Sequence, residues 1–587
     1  MIGLSLAQAA LPVATTFAAR AVMARAAQPV HQAGVLDAVL AVLVLGALLT
    51  GQQLVTVVME PLRLWSGKLI DGRFRQEVVG LALAPVGVAH MEDSDRAGRF
   101  ATAATHWLGF TPGQAALARL SVVSQTVAVL ACAVIVARVS PWAAAAVLVL
   151  IVVRRVVMQR LFVGPGSLWS RSAELGRRVQ HWRTFGTRPE TGKEIRIFGL
   201  QAWTARRYRD AVLDQNEPIW TARNQIVWSN WLPLAAGAAA MTVGLLGLLF
   251  ARARTDAGEV AQYLVALLAM LAAGSAGWEG FALVHGTVPL AVERGLRKEL
   301  EEITEPRDPA RTDRLDGPAP GDGKAPPGLR FEGVAFGYPG RGTPVLAGLN
   351  LDVRPGEVMA LVGVNGAGKT TLTKLLARLY EPDSGRILAD GVDILGIPAD
   401  QWRAQLAVVV QGFLRYDLSL RQNVALGAPE RLPDDSFFAE VVDELALDDI
   451  VRTLPNGWDT PLSRARTNGT ELSGGQWQRI ALARAVFALR AGRRILVLDE
   501  PTAHLDAEAE FAIFQQVIGQ MRGVTVLFIS HRLSTVRLAD RIAVLRDGRV
   551  NEIGTHAELL KSGQDYAQMF DLQAQAFTGE PSPEASR

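Results

Sequence analysis

Six long apolar stretches in the first 303 residues carry no charged side chain, and they constrain this chain more than any other feature. They cover 1–19, 38–59, 120–137, 139–153, 224–251 and 260–278. A bilayer core about 30 Å thick is crossed by about 20 helical residues, because each rises about 1.5 Å. Most of these runs are long enough to span. The shortest, 139–153, opens on Ser140-Pro141 as the hairpin partner of the run before it, and can extend toward Arg160. A soluble core would also bury apolar helices, but six such runs in one half of a chain argue against that reading.

The connections between the runs differ in charge. The segment 154–223 is crowded with basic residues, among them Arg177, Arg178, Lys193, Arg206 and Arg207. Between the second and third runs stand Arg63, Lys68, Arg73, Arg75, Arg96 and Arg99. Links on the other side, near 29–34, Arg138 and 252–259, are short. Lys/Arg excess marks the cytoplasmic side, so both long segments and the C-terminal half are expected there. Both segments are too long for turns and are expected to continue the membrane helices into the cytosol. The first residues carry no basic n-region, so 1–19 reads as a retained span rather than a signal peptide.

Length and composition narrow the rest. The 587 residues exceed one core, and a net charge of +3 gives a nucleic-acid partner no support. The single cysteine, Cys132, lies inside an apolar run, which excludes an internal disulfide and a multi-cysteine metal site. After the last run, 296–303 is a charged helix end. Residues 304–328 are rich in Pro, Gly, Asp and Arg, as a linker is. A soluble domain is expected over 329–575 and a disordered tail over 576–587.

That domain carries the chemistry. Gly363-Val364-Asn365-Gly366-Ala367-Gly368-Lys369-Thr370-Thr371 follows an apolar strand at 358–362 and opens a helix, with the spacing of a P-loop. Its glycines let backbone N–H groups wrap phosphates. Lys369 brings positive charge to the β/γ oxygens, and Thr370 offers a hydroxyl to Mg²⁺. The apolar strand 495–498 delivers two carboxylates, Asp499 beside the phosphates for Mg²⁺ and Glu500 to orient and deprotonate the attacking water. A second anion site is expected at Leu472-Ser473-Gly474-Gly475-Gln476, whose small residues precede an amphipathic helix and leave backbone N–H groups free at its N-terminus. Two phosphate-reading elements in one domain suggest one nucleotide clamped between two copies.

On these motifs the chain resembles the ATP-binding-cassette superfamily, whose signature is Leu-Ser-Gly-Gly-Gln. The resemblance implies ATP held by Gly363, Asn365, Gly366, Gly368, Lys369, Thr370 and Thr371 of one copy, closed over by Leu472, Ser473, Gly474, Gly475 and Gln476 of the other. It implies Mg²⁺ at Thr370, Gln411 and Asp499. Tyr338, in Phe336-Gly337-Tyr338-Pro339, looks like the aromatic that stacks on adenine. Gln411 looks like the glutamine that senses Mg²⁺ and faces the membrane domain. Asp506, in Pro501-Thr502-Ala503-His504-Leu505-Asp506, is similar to the aspartate that communicates across the dimer. His531 resembles the switch histidine contacting the γ-phosphate.

The resemblance extends over the whole chain. Two polar stretches, 90–100 and 187–200, resemble the coupling helices of the exporter branch, the second through Lys193-Glu194-Ile195-Arg196-Ile197-Phe198-Gly199. A membrane domain followed by a cassette is the order of a half-size exporter. Segments 413–423 and 469–479 look like those of bacterial exporters of modified peptides, lantibiotics among them. The chain departs from the pattern at 463–470, which reads Ser-Arg-Ala-Arg-Thr-Asn-Gly-Thr where many exporters carry a glutamate-rich loop, and at His504, where alanine is common.

The expected fold is therefore an α-helical membrane domain of six transmembrane helices with long cytosolic extensions, followed by an α/β P-loop ATP-binding-cassette domain. The resemblance implies a homodimer in the bacterial inner membrane that hydrolyses ATP to export an amphipathic peptide or natural product by alternating access. It leaves open an exporter-shaped importer of siderophores or vitamins, and an ATPase-poor half of a heterodimer. Glu279 stands beside Trp278, with Gly274, Gly277 and Gly280 at helical spacing. An ionisable group at membrane depth needs a cavity or a partner, so Glu279 and Trp278 are expected to line an inward-facing cavity that favours a cationic substrate, unless Glu279 lies at or below the inner headgroups, where a carboxylate is merely solvated.

Overall fold

The computed structural model of the chain describes residues 1–28, 35–104, 110–163, 166–229, 231–251, 256–274, 278–304, 325–340, 342–430, 438, 441, 445, 447–464, 466–501, 515, 519 and 523–578. It forms two compact units. One comprises Met1–Ala84 and Ser94–Glu302, the other Pro85–Asp93 and Ile303–Arg587.

The first unit is helical. It holds α1 (Ile2–Ala26) and α2 (Val35–Leu83) and then, past a short α3 (Ala89–Glu92) that belongs to the other unit, α4 (Ser94–Ala104). There follow α5 (Pro112–Val139), α6 (Pro141–Val163), α7 (Gly166–Thr187), α8 (Pro189–Ile197) and α9 (Gln201–Ser229). The last are α10 (Trp231–Ala251), α11 (Ala257–Gly274), α12 (Trp278–Gly286) and α13 (Val288–Thr304). Among the described residues, α1, α2, α5 and α11 are long and apolar enough to cross a membrane, and a shorter apolar stretch, Ala235–Phe250, lies in α10. The run 139–153 falls almost wholly within α6. With 49 residues, α2 is about 74 Å long, more than twice the bilayer core. Its Leu36, Leu40, Leu43, Leu54 and Val57 are exposed. Water does not tolerate such a continuous apolar face, and lipid does.

Within this unit α1 packs on α2, α5 and α11, while α6 pairs with α10 and α7 with α9. One close crossing is set by two glycines. A Cβ on Gly113 would lie 2.3 Å from the carbonyl oxygen of Gly67, so α2 and α5 meet backbone to backbone. One turn along α2, the buried Asp71 accepts a hydrogen bond from the Gly113 N–H at 2.8 Å. Together with a capping box of Thr111 and Gln114, it satisfies the N-terminus of α5. Cys132, Val136, Val147, Tyr263, Leu267 and Met270 form the dry centre, all fully buried.

The second unit is α/β. Its strands are β1 (Leu329–Phe336), β2 (Leu346–Val353), β3 (Val358–Gly363), β4 (Ser384–Ala389) and β5 (Val392–Asp393), then β6 (Leu406–Val409), β7 (Ile495–Asp499), β8 (Thr525–Ile529), β9 (Arg541–Arg546) and β10 (Arg549–Gly554). An antiparallel sheet has the order β2-β1-β4-β5, and a six-stranded sheet the order β10-β9-β3-β8-β7-β6. The latter is parallel except for β10. Every residue of β7 and β8 is buried, as befits strands covered on both faces. Alternation along β8 feeds two cores: Val526 and Phe528 join Trp477, Phe487 and Tyr566 on one side, while Leu527 and Ile529 join Phe331 and Trp402 on the other.

Three boundaries differ from those read in the sequence. The stretch 90–100 is broken at Asp93, and it is Pro85–Asp93, with α3, that groups with the cassette strands. There the Val88 N–H donates to the Leu379 carbonyl at 3.0 Å. Residues 576–578 close a helix, Asp565–Thr578, rather than belonging to a tail. Most of the expected linker, 305–324, and residues 579–587 lie outside the described residues.

Candidate nucleotide-binding site

Because β3, β8, β7 and β6 are parallel neighbours, their C-terminal ends share one edge of the sheet. Ligands of open α/β sheets bind at that edge. Read along it, the strands deliver the P-loop after β3, His531 just past β8, Asp499 and Glu500 at the end of β7, and Gln411 just past β6. Strand order alone thus gathers residues far apart in the chain.

The P-loop turns on glycines with positive φ: Gly363 at 151°, Gly366 at 84° and Gly368 at 105°. Only residues without a Cβ adopt such angles without strain, and they turn the backbone N–H groups of the loop inward. Helix α14 (Lys369–Leu376) begins directly behind them. The Lys369 ammonium is folded back, donating to the Gly363 and Val364 carbonyls at 2.7 and 3.0 Å. Burial holds its pKa below the usual lysine value, with the charges of Glu500 and Asp499 opposing. Thr371 shares a hydrogen bond with the Tyr338 hydroxyl at 3.1 Å.

Thr370 Oγ1 stands 3.3 Å from Asp499 Oδ1. Burial pushes the Asp499 carboxyl above its ordinary range, Glu500 adds to the rise, and the hydrogen bond from Thr370 opposes it. Two hard oxygen donors side by side, one an almost wholly buried carboxylate, suit a small divalent cation. Glu500 is held on both sides: Gln411 Nε2 donates to its Oε2 at 2.9 Å, and His531 Nδ1 lies 3.6 Å from its Oε1. It also has a φ of 45°, a left-handed angle that a residue with a Cβ seldom adopts. Such strain concentrates where a side chain must be aimed.

Ser473 caps α15 (Gly474–Arg490), its hydroxyl accepting from the Gln476 N–H while Gln476 Oε1 accepts from the Ser473 N–H. The signature side chains therefore bond within their own motif, which leaves the helix end ordered and open. Asp506 lies outside the described residues. Tyr338 sits against Phe336 and Tyr380, edge to face, at centroid distances of 5.1 and 5.4 Å.

Two groups of residues escaped the sequence reading. Glu92, on α3, pairs with Lys374 at 3.2 Å and accepts from the Tyr380 hydroxyl. Arg484, on α15, donates to the Leu414 and Asn423 carbonyls and to Asn423 Oδ1, and lies over the ring of Tyr416. It ties the signature helix to the segment that follows Gln411. Neither pairing has a local sequence signal. In the membrane unit, Gln125 Nε2 donates to Glu279 Oε1 at 3.0 Å, and the Arg155 guanidinium interacts with the same carboxylate. Glu279 thus has partners inside the protein, and the side chain that lines a cavity there is Gln125. The Trp278 side chain and Gly277 lie outside the described residues.

Comparison with known proteins agrees with this geometry. Residues 346–503 match the family model described as ABC transporter. The chain is 43% identical over 245 residues to an ATP-dependent lipid A-core flippase of Thiobacillus denitrificans, covering 42% of this chain and 41% of that protein. It is 40% identical over 245 residues to ABC transporter B family member 13 of Arabidopsis thaliana, covering 42% of this chain and 19% of that one. These matches span less than half the length of the curated relatives. A solved structure described as a bacterial Atm1-family ABC exporter with ATP bound superposes with a TM-score of 0.76 at 22% identity, covering 97% of each chain. That likeness establishes the fold over the full length. Residues 346–503 therefore carry the match to the ABC transporter family, and the chain as a whole has the fold of the solved exporter, a helical membrane domain followed by a nucleotide-binding cassette.

Proposed function

We propose that this chain is one half of an ATP-driven exporter, paired with a second copy of itself in the bacterial inner membrane with its cassettes in the cytoplasm. The observation that carries the reading is the placement of Glu500, held between Gln411 and His531 beside Lys369 and Thr370 on one sheet edge. A general base must have its carboxylate aimed before the reaction, and these two neighbours fix both of its oxygens. In each composite site the P-loop of one copy would cradle the phosphates, with Lys369 turning from its carbonyl partners to the β/γ oxygens. The signature helix of the other copy, headed by Ser473, would close over them, and Asp506 would face the same dimer interface.

Thr370, Asp499 and Gln411 are the residues that would hold Mg²⁺, which neutralises charge developing on the phosphates. Tyr338 would lie against the adenine, Glu500 would take a proton from the attacking water, and His531 would steady the γ-phosphate. ATP binding would bring two cassettes together and hydrolysis would release them, switching the helices between inward- and outward-facing arrangements. The cargo is an amphipathic molecule, peptide or natural product. Flippases of a lipid A-core are among the relatives, which supports a large amphiphile, although they match this chain over less than half their length.

The reading is tested with purified full-length protein in liposomes. Alone, it is expected to run as a dimer, hydrolyse ATP and move an amphipathic probe toward the side away from the cassettes. Hydrolysis that appears only after another half-transporter is added, or movement toward the cassettes, would contradict it.

A further inference from the structure

The membrane unit holds an open cleft of about 680 Å³ between α1, α2, α5 and α11. The side chains that give it polarity include Gln8, Thr15, Gln52, Gln53, Ser124 and Gln125, drawn from three helices long enough to cross a bilayer. Among the described residues that line it, none is charged. Carboxamides at such positions are costly in lipid, and a space of this size is ample for a ligand.

Two of these amides are oriented from behind by charges that do not line the cavity. Arg63 donates to Gln8 Oε1 at 3.2 Å, and also to Ser121 Oγ at 2.9 Å. With its oxygen taken by a guanidinium, Gln8 is left with its NH₂ as the end that has no protein partner among the described residues. Gln125 is the mirror case. Its NH₂ donates to the Glu279 carboxylate, and its Oε1 is buried with no hydrogen-bond partner among the described residues. The flipped amide would set oxygen against oxygen at Glu279, so the chemistry of the partner fixes the orientation. An unpaired buried acceptor costs free energy until a donor reaches it.

We propose that Gln8 and Gln125 form a donor–acceptor pair that binds an uncharged amide- or hydroxyl-bearing amphiphile, the polar head between the glutamines and the apolar part along Leu11, Leu49 and Leu268. This rests on the exporter reading and names the substrate class for it. Glu279 then acts as a positioning residue, setting the Gln125 amide rather than attracting a cation. The mixture of a few fixed polar groups with an apolar wall is what sets orientation in small-molecule sites.

The test uses full-length protein in phosphatidylcholine nanodiscs and two probes of equal chain length, N-methyldodecanamide and dodecyltrimethylammonium. Binding is measured without nucleotide by equilibrium dialysis, with empty discs subtracted. The wild type is expected to bind the amide more tightly than the ammonium. Gln125→Leu is expected to weaken amide binding about tenfold, the effect of one lost hydrogen bond, and to leave ammonium binding within about twofold. Gln8→Leu, on a different helix, is expected to do the same, so a folding failure at one position leaves the other decisive. Tighter binding of the ammonium, or amide binding unchanged in both variants, would overturn the proposal. ATP hydrolysis is measured in the same discs: its absence from the wild type would contradict the exporter reading, whereas the ratio between probes judges the cavity on its own.

Discussion

Lys374 Nζ stands 3.2 Å from Glu92 Oε1 and at the same time lies over the rings of Tyr338 and Tyr380, 5.1 and 5.5 Å from their centroids. Tyr338 in turn bonds to Thr371 at the P-loop helix. One ammonium thus joins α3, which follows the long α2 in the chain, to the aromatic expected beneath adenine. Glu92→Gln removes the ion pair and keeps a hydrogen-bonding group. It is expected to retain ATP binding while weakening the stimulation of hydrolysis by transported probe, measured as the ratio of stimulated to basal rate. An unchanged ratio would mean that this contact carries no coupling.

The same carboxylate makes a pH prediction. The hydrogen bond from Tyr380 lowers the Glu92 pKa below 4.5, burial opposes this, and Lys374 adds to the lowering. A depressed acid contributes stability above its unfolded pKa and loses it as pH falls through the folded value. The wild type is therefore expected to unfold at a higher temperature than Glu92→Gln near neutral pH, and the gap is expected to close below pH 4.5. Half of the Glu92 side chain is exposed, so the gap is small. A gap that widens on acidification would contradict the assignment.

Asp499 behaves in the opposite sense. Its folded pKa is raised above 3.8, so the folded state binds more protons, and stability without nucleotide falls as pH rises through that window. Asp499→Asn is expected to be at least as heat-stable as the wild type at neutral pH without nucleotide, and to lose Mg²⁺-dependent hydrolysis. A variant that is markedly less stable and still hydrolyses ATP would contradict the cation role.

In the membrane unit, Gly113→Ala would bring a Cβ to 2.3 Å from the Gly67 carbonyl oxygen, with backbone on both sides of the clash. Overpacking of that kind costs about 1–3 kcal/mol. The expected outcome is a lower unfolding temperature in detergent, while a Gly72→Ala control, with open space at its Cβ, stays near the wild type. Equal midpoints for both would mean that α2 and α5 do not cross at Gly67.

What could be read in the sequence was local. Lys369, Thr370, Asp499 and Glu500 announce themselves because a glycine-rich turn and an apolar strand end constrain chemistry within a few residues. The long uncharged runs do so because a bilayer imposes length and composition. Contacts across the chain had no such trace. Glu92 and Lys374 are separated by 282 positions, and Gln125 and Glu279 by 154. Glu279 reads in the sequence as a cavity-lining anion because nothing there points to Gln125 as its partner. Likewise Asp93 breaks the helix expected over 90–100, a boundary set by packing of Pro85–Asp93 on the cassette rather than by a strong breaker in the sequence.

Glu500, the proposed base that activates water, is reached directly by one substitution. Glu500→Gln keeps the shape of the side chain and a hydrogen-bonding partner for Gln411, but cannot accept the proton. Turnover of ATP by the purified protein is expected to fall about 10²–10⁴-fold, the usual contribution of an acid–base residue, with ATP binding retained and, under the proposed pairing, a closed dimer accumulating. Hydrolysis near the wild-type rate in that variant would contradict the assignment of Glu500 and, with it, the reading of this sheet edge as the catalytic site.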